Sequence, residues 1–128
     1  MIKFKVDNLK NMNAALKQFL DFLENRGVLE DDIFDSRLVS CELITNVIRH
    51  GNEEAHFEGG VSGDIIKITV KGGETDTVLQ TPKLPADIFA ESGRGLYIIK
   101  SICTGDIKAE GSAVTVKIKI KRTNQPNN

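Results

Sequence analysis

The sequence predicts an α+β fold, a two-layer α/β sandwich in which three helices cover one face of a mixed, mostly antiparallel sheet. Two observations support this prediction. Short segments that alternate apolar and polar residues are interspersed with longer segments in which apolar residues recur every three or four positions. The chain of 128 residues is also long enough to bury about two thirds of its unfolded-state surface. We therefore expect one domain over residues 1–122 and a polar tail over residues 123–128.

The N-terminal half is predicted to contain one strand and two helices. Residues 2–6, IKFKV, alternate apolar and charged side chains as a half-buried strand does. Residues 11–26 carry apolar side chains at helical spacing, and Gly27 provides the left-handed residue that ends a helix. A second helix is predicted over residues 33–50. The acidic residues near its start, which favour the positive end of the helix dipole, are Glu30, Asp31, Asp32 and Asp35.

The C-terminal half is predicted to contain two hairpins and a third helix. Residues 64–70 and 75–81 both alternate apolar and polar side chains, and the KGGE turn between them predicts a hairpin. The third helix is predicted over residues 93–103, and residues 106–110 and 113–122 form the second predicted hairpin. The polar stretch before the first hairpin is predicted to lie outside the strands, and it contains Gly59, Gly60 and Gly63.

Composition and charge exclude several classes of function. A formal net charge of -1 offers no basic field for nucleic acid or for an anionic membrane surface. No apolar segment approaches the ~18 residues of a membrane-spanning helix, and the N-terminus lacks the apolar core of a signal peptide. We therefore expect a cytoplasmic protein. Cys41 and Cys103 lie among apolar residues, where a free cysteine acts as a small hydrophobe.

The second predicted helix carries a narrow arc of polar side chains. On a helical wheel this arc contains Glu42, Thr45, Asn46 and Arg49, whereas most of the remaining surface is apolar. Taken alone, the arc is more typical of a solvated stripe than of a functional site. His50 is equally ambiguous, because an imidazole at a helix C-terminus also interacts favourably with the helix dipole.

A glycine-rich stretch precedes the third predicted helix. Gly93-Arg94-Gly95 could serve only a tight turn, but glycines at a helix start also let the backbone N–H groups approach a phosphate. The stretch is therefore a candidate phosphate cradle. It is not a dinucleotide fingerprint, and the sequence contains no G-x-x-x-x-G-K-[ST] loop.

Together these motifs resemble a known superfamily of ATPases. ELITN with HG in the second helix, GRGLYII at the third, and VTV in the last strand are similar to motifs of histidine kinases, gyrase-type topoisomerases and mismatch-repair proteins. More narrowly, the chain resembles the bacterial anti-sigma factor serine/threonine kinases. The similarity covers nearly the whole chain and includes the order of the elements.

The resemblance implies roles for individual residues. In this family a helix carries a glutamate that acts as general base and an asparagine that holds magnesium on the phosphates of ATP, which correspond here to Glu42 and Asn46. A carboxylate can accept the proton of an attacking hydroxyl, and an amide oxygen is a hard ligand for magnesium. The residues that the resemblance implies around ATP are Asn46, His50, Gly93, Arg94, Gly95 and Leu96.

The sequence departs from the family at the adenine-binding motif. The family carries D-x-G-x-G between the first hairpin and the glycine loop, whereas this chain reads VLQTPKLP over residues 78–85. Gln80 or Thr81 could accept a hydrogen bond from the adenine amine, but less strongly than a carboxylate. Asp76 or Asp87 could replace the missing aspartate through an altered strand register. The sequence therefore predicts weak adenine recognition and leaves kinase activity open.

Three functions follow from the resemblance. The first is a regulator that uses ATP and magnesium to phosphorylate a small partner protein, and that sequesters a sigma factor. The partner would be a sigma factor or an anti-sigma antagonist, and a homodimer is compatible with the sequence. The second is a module that binds proteins without nucleotide. The third, a catalytic domain detached from a histidine kinase, is less favoured because no dimerisation helix with a phosphorylatable histidine precedes it.

Overall fold

The structure is a computed structural model that describes residues 1–49, 54–72, 99, 102–103, 107–110 and 113–121. Within these residues, two α-helices and a five-stranded antiparallel sheet form an α+β fold. The strand order is β1-β2-β3-β5-β4. In chain order the elements are β1 (Ile2–Val6), α1 (Met12–Asn25), α2 (Glu30–Arg49), β2 (Ala55–Ser62), β3 (Ile65–Lys71), β4 (Ile107–Glu110) and β5 (Ala113–Lys119).

Helix α1 begins and ends where local sequence signals place it. The side-chain oxygen of Asn8 accepts hydrogen bonds from the backbone N–H groups of Lys10 and Asn11, at 2.9 and 3.2 Å, and so starts a 3-10 turn that leads into the helix. Gly27 follows the helix with φ of 80°, a left-handed conformation that favours glycine. The buried side chains of α1 are Leu16, Phe19 and Leu23, which recur at the predicted helical spacing.

Helix α2 is tied to the far end of the chain by a buried carboxylate. It begins at Glu30, three residues before its predicted start, and Asp32 in its first turn is fully buried. Asp32 Oδ2 accepts a 2.9 Å hydrogen bond from the backbone N–H of Lys121, just beyond β5. Lys121 Nζ also donates to Asp35 Oδ2 at 3.2 Å, and this hydrogen bond raises the pKa of the lysine. Asp32 therefore links the helix layer to the sheet, beyond its expected effect on the helix dipole.

Strand β2 was not predicted, and it changes the pairing of β3. The stretch around Gly59 and Gly60 is a strand whose residues pair with β1 on one side and β3 on the other. The second neighbour of β3 is β5, which lies opposite it from Ile65↔Lys119 to Lys71↔Ala113. Both edges of β3 are therefore occupied, one by β2 and the other by β5. The prediction that residues 64–70 form a hairpin with residues 75–81 is wrong for this reason. Residues 75–81 themselves lie outside the described residues.

The helix count and the sheet type also differ from prediction. The described residues contain two α-helices rather than three, because most of the segment predicted as a third helix lies outside them. In that segment Ile99, Ile102 and Cys103 are described as helical, and the side chains of Ile99 and Cys103 are buried. The sheet was predicted to be mixed, whereas every pairing among the described strands is antiparallel. The β4–β5 hairpin was predicted correctly. Neither α1 nor α2 is long and apolar enough to span a bilayer.

Aromatic side chains pack the helix layer against β2. The ring of Phe57 stacks on Phe4 with centroids 4.5 Å apart and meets Phe19 of α1 edge to face at 5.1 Å. Gly59 lies in the same cluster, and a methyl group added there would be 2.5 Å from Phe19 Cε1 and 2.8 Å from Phe57 Cε1. The absence of a side chain at Gly59 is therefore what lets the Phe19 ring reach the sheet.

Gly59→Ala is expected to lower the free energy of unfolding by about 1–3 kcal/mol, because both rings must move to admit the methyl group. Urea denaturation followed by circular dichroism measures the change. Gly60→Ala is the matched control, because its added methyl would come no closer than 3.8 Å to Met1. Equal losses in the two variants would contradict the packing argument.

Candidate functional site

Two of the predicted site residues contact each other on α2. Glu42 and Asn46 are one helical turn apart, and Asn46 Nδ2 donates a hydrogen bond to Glu42 Oε2 at 3.0 Å. Residues at this spacing lie on the same side of a helix, so the sequence pattern itself brings the two side chains together. The contact joins the general base and the magnesium ligand that the resemblance implies.

The burial of Asn46 differs from that of a solvated polar stripe. Its side chain belongs to the buried set with 1% relative exposure, although Glu42 and Thr45 are half-buried and Arg49 is exposed. The interpretation of this arc as a solvated stripe is therefore wrong at Asn46. A buried amide costs about 1–3 kcal/mol when it lacks partners, and the bond to Glu42 offsets part of that cost.

The hydrogen bond also determines the orientation of the amide. An ionised carboxylate only accepts hydrogen bonds, so the atom of Asn46 that faces Glu42 must be the NH₂ group. The carbonyl oxygen is then the remaining polar atom of the side chain, and carbonyl and carboxylate oxygens are the ligands that Mg²⁺ prefers. The chemistry of this pair therefore suits a magnesium ion, which Asn46 would hold through its carbonyl oxygen.

A site built from protein ligands alone is not present in the described part of the chain. No group of three or more His, Cys, Asp or Glu side chains there is close enough to hold a metal ion. Magnesium commonly uses only one or two protein ligands when it is bound with nucleotide phosphates, so this finding is compatible with the Asn46 assignment.

The remaining predicted site residues lie outside the described residues. These are the residues that the resemblance places near ATP, together with the four substitutes considered for adenine recognition. Their roles stay predictions. They are His50, Gly93, Arg94, Gly95, Leu96, Gln80, Thr81, Asp76 and Asp87.

Cys41, the neighbour of Glu42, is a poor candidate for a nucleophile. Burial raises the pKa of its thiol, and the charge of Glu42 adds to this effect although Arg37 opposes it. The reactive form of cysteine is the thiolate, which is disfavoured here at neutral pH. Glu42 is thus the side chain in this turn that suits acid-base chemistry.

The sequence interpretation missed a row of buried polar groups on α2. Asp32, Ser36 and Ser40 are all fully buried, four residues apart, and Ser36 Oγ donates a 2.8 Å hydrogen bond to the Asp32 carbonyl oxygen. These three residues lie on the same buried side of α2 as Leu43. Their helical spacing from that apolar residue is the sequence signal that could have identified them as buried. Ser36 and Asp32 have structural partners and therefore support the fold, whereas Ser40 Oγ is buried without a hydrogen-bond partner among the described residues.

Comparison with known protein families identifies a match over most of the chain. The model of the histidine kinase-like ATPase domain matches residues 6–118, which is most of the chain. The chain belongs to the histidine kinase-like ATPase domain family. A search of curated proteins found no match.

Membership of the histidine kinase-like ATPase domain family confirms the superfamily that the motifs predicted. The matched segment contains α2 with Glu42 and Asn46, as well as the glycine-rich sequence that begins at Gly93. The narrower similarity to anti-sigma factor kinases stays a prediction.

Proposed function

We propose that this chain is a cytoplasmic regulator of the anti-sigma kinase type, which binds ATP with magnesium and phosphorylates or sequesters a partner protein in transcriptional control. The observation that carries the proposal is the hydrogen bond between buried Asn46 and Glu42, in a chain that belongs to a family of ATPase domains. The partner would be a sigma factor or an antagonist of the regulator.

Each of the two side chains has a defined chemical task in this proposal. Asn46 would hold a magnesium ion through its amide oxygen, and the chemistry that such an ion would supply is neutralisation of charge on the phosphates. Glu42 accepts the proton of the hydroxyl that attacks the terminal phosphate. The 3.0 Å bond from Asn46 orients the carboxylate, so that the base and the metal ligand are positioned together.

Titration with a fluorescent ATP analogue, with and without Mg²⁺, tests the proposal directly. We expect saturable binding that Mg²⁺ strengthens. Lack of saturable binding under both conditions would reject nucleotide binding.

A nucleotide-independent protein-binding module is the second candidate. The observation that favours it is the absence of the D-x-G-x-G aspartate from VLQTPKLP. In that case Glu42 and Asn46 are polar groups retained on an inherited scaffold. Partner capture without bound nucleotide, together with a negative titration, would support this candidate.

Asn46→Ala is expected to weaken Mg²⁺-nucleotide binding about tenfold, which corresponds to about 1.4 kcal/mol. The variant lacks the amide oxygen, so its affinity should also become insensitive to Mg²⁺. The titration above measures both effects. Because Asn46 is buried, the substitution should also lower the free energy of unfolding by about 1 kcal/mol.

Asn13→Ala is the matched control, because Asn13 is exposed on α1. It should change neither the affinity nor the Mg²⁺ dependence. An Asn46→Ala variant that is folded by circular dichroism and still responds to Mg²⁺ like the wild type would contradict the assignment of Asn46 as a ligand.

A further inference from the structure

The face of the sheet opposite the helices carries a concentration of lysines. Side chains alternate between the faces of a strand, and Ile66, Ile68 and Val70 of β3 are buried beneath the helices, so Lys67 lies on the other face. The register extends this face across the neighbouring strands. Lysines on it include Lys3, Lys5, Lys67, Lys108, Lys117 and Lys119. We call it the lysine face.

Two of these lysines lie directly opposite each other in the middle of the sheet. Lys67 of β3 pairs in register with Lys117 of β5, and like charges at opposite positions destabilise a sheet. Among the described residues, neither lysine forms an ion pair. By contrast, Lys3 and Lys119 contact Glu58 and Asp64, at 3.7 and 3.2 Å. Within the described part of the chain, the centre of the lysine face therefore carries positive charge that no ion pair offsets.

The positive charge is concentrated on the lysine face and is not a property of the chain as a whole. The whole chain has a net charge of -1, so the lysine face is balanced by acidic residues elsewhere. A repulsive lysine pair retained in a protein of this composition indicates an interaction outside the folded chain, because surfaces that bind partners often keep locally unfavourable residues.

From this arrangement we infer that the lysine face binds an acidic segment of a partner protein. An extended segment with a carboxylate at every second residue presents charges about 7 Å apart, which matches the spacing of Lys117 and Lys119 along β5. A groove beside Lys67 provides space for the segment. From the sheet it is lined by Gly60, Ser62, Lys67 and Thr69 together with the carboxylate-bearing Glu58, which is ion-paired with Lys3, and α1 contributes Phe22 and Arg26 at its end.

A protein partner suits this face better than nucleic acid or lipid. The described strands contribute no arginine and no Phe, Tyr or Trp side chain to the face, so bidentate arginine contacts and large rings for base stacking are missing from its strands. Arg26 and Phe22 of the groove are in contact with each other, with the guanidinium carbon 4.8 Å from the ring centroid. Glu58 and Asp64 lie among the lysines and would repel a continuous row of phosphates. Separate carboxylates on a peptide can avoid these acidic positions.

Binding of a labelled peptide of alternating Glu and Thr tests the inference by fluorescence anisotropy. The double variant Lys67→Glu/Lys117→Glu should bind the peptide about tenfold more weakly, because two attractive contacts become repulsive. The control variant Lys10→Glu/Arg37→Glu has the same change in net charge at exposed positions of the helix layer. It should bind nearly as tightly as the wild type. Equal weakening in both variants, or no binding by the wild type, would overturn the inference.

Duplex DNA and vesicles that contain phosphatidylserine serve as competing ligands in the same assay. Tighter binding of either than of the peptide, with loss in the Lys67→Glu/Lys117→Glu variant, would overturn the assignment to an acidic protein. Weaker binding of both supports it.

The single variant Lys67→Glu separates binding from stability. It places a carboxylate opposite Lys117, so the urea midpoint should rise while affinity for the peptide falls. A purely structural lysine would not change peptide affinity. A lower urea midpoint would contradict the repulsion on which the inference depends.

The inference does not depend on the proposed ATP site, because the lysine face and α2 lie on opposite sides of the sheet. The lysine variants should therefore retain the nucleotide affinity of the wild type. Failure of peptide binding with intact nucleotide binding would reject the lysine face alone, whereas the reverse result would reject the nucleotide site alone.

Discussion

Glu42→Gln is expected to retain nucleotide binding and to lose phosphoryl transfer by about a hundredfold or more, because it removes the general base. The substitution is nearly isosteric, and the glutamine oxygen can still accept the hydrogen bond from Asn46 Nδ2. Loss of a negative charge near the phosphates should leave the affinity unchanged or improve it. ADP formation and transfer of the terminal phosphate to a protein partner measure the rate.

The control for this prediction is Glu24→Gln, which makes the same chemical change at an exposed position of α1. It should leave the rate unchanged. A Glu42→Gln enzyme that keeps its rate would remove Glu42 from the chemistry. A wild-type protein that binds its partner without phosphorylating it would contradict the catalytic part of the proposed function.

Thr81→Asp is expected to tighten ATP binding by about ten- to a hundredfold, because a carboxylate restores the charge-assisted hydrogen bond to the adenine amine. Before this change, binding should be weak, and ATP should be poorly distinguished from GTP. Titration of both nucleotides against wild type and variant measures the affinity and the selectivity. Gln80→Asp is a second substitution that places a carboxylate in the same segment.

Thr81→Asn is the control, since its neutral amide has nearly the shape of aspartate without the charge. Tight, adenine-selective binding by the wild type would refute the prediction and would direct attention to Asp76 or Asp87. No binding by any variant would favour the protein-binding module.

Elements with a clear local period could be predicted from the sequence. Strand β1 occupies the predicted residues, and α1 differs from prediction by one residue at each end. In both cases the burial pattern is determined by spacing within the element, and nearby residues such as Gly27 mark its end. Such signals need no information about distant parts of the chain.

Strand β2 could not be recognised because the reason for its glycine lies elsewhere in the chain. The alternation of Ala55, Phe57 and Val61 is present, but Gly59 occupies a buried position that would normally be apolar. It is glycine because the ring of Phe19 packs against it. The contact with α1 requires glycine at this position, and the glycine gave the segment the composition of a loop. Because β2 was not recognised, the partner of β3 was also predicted wrongly.

The candidate site, too, could be predicted from the sequence only in part. The spacing of Glu42 and Asn46 on one helical face was readable from the sequence, and the 3.0 Å hydrogen bond follows from it. The burial of Asn46 depends on tertiary packing, which no local pattern reports. The roles of both residues came from motif resemblance, because glutamate and asparagine one turn apart are also common on solvated helices.

The position of β5 has a consequence for synthesis of the chain. Strand β5 pairs with β3 inside the sheet, and Thr69 and Thr115 hydrogen-bond across this pairing although they are 46 positions apart. At about 5–20 residues per second, a ribosome needs roughly 2–9 s to deliver Thr115 after Thr69. During that interval β3 lacks its partner, and an unpaired strand edge recruits other chains. Protection of the nascent protein from aggregation is therefore governed by elongation speed as well as by the stability of the finished fold.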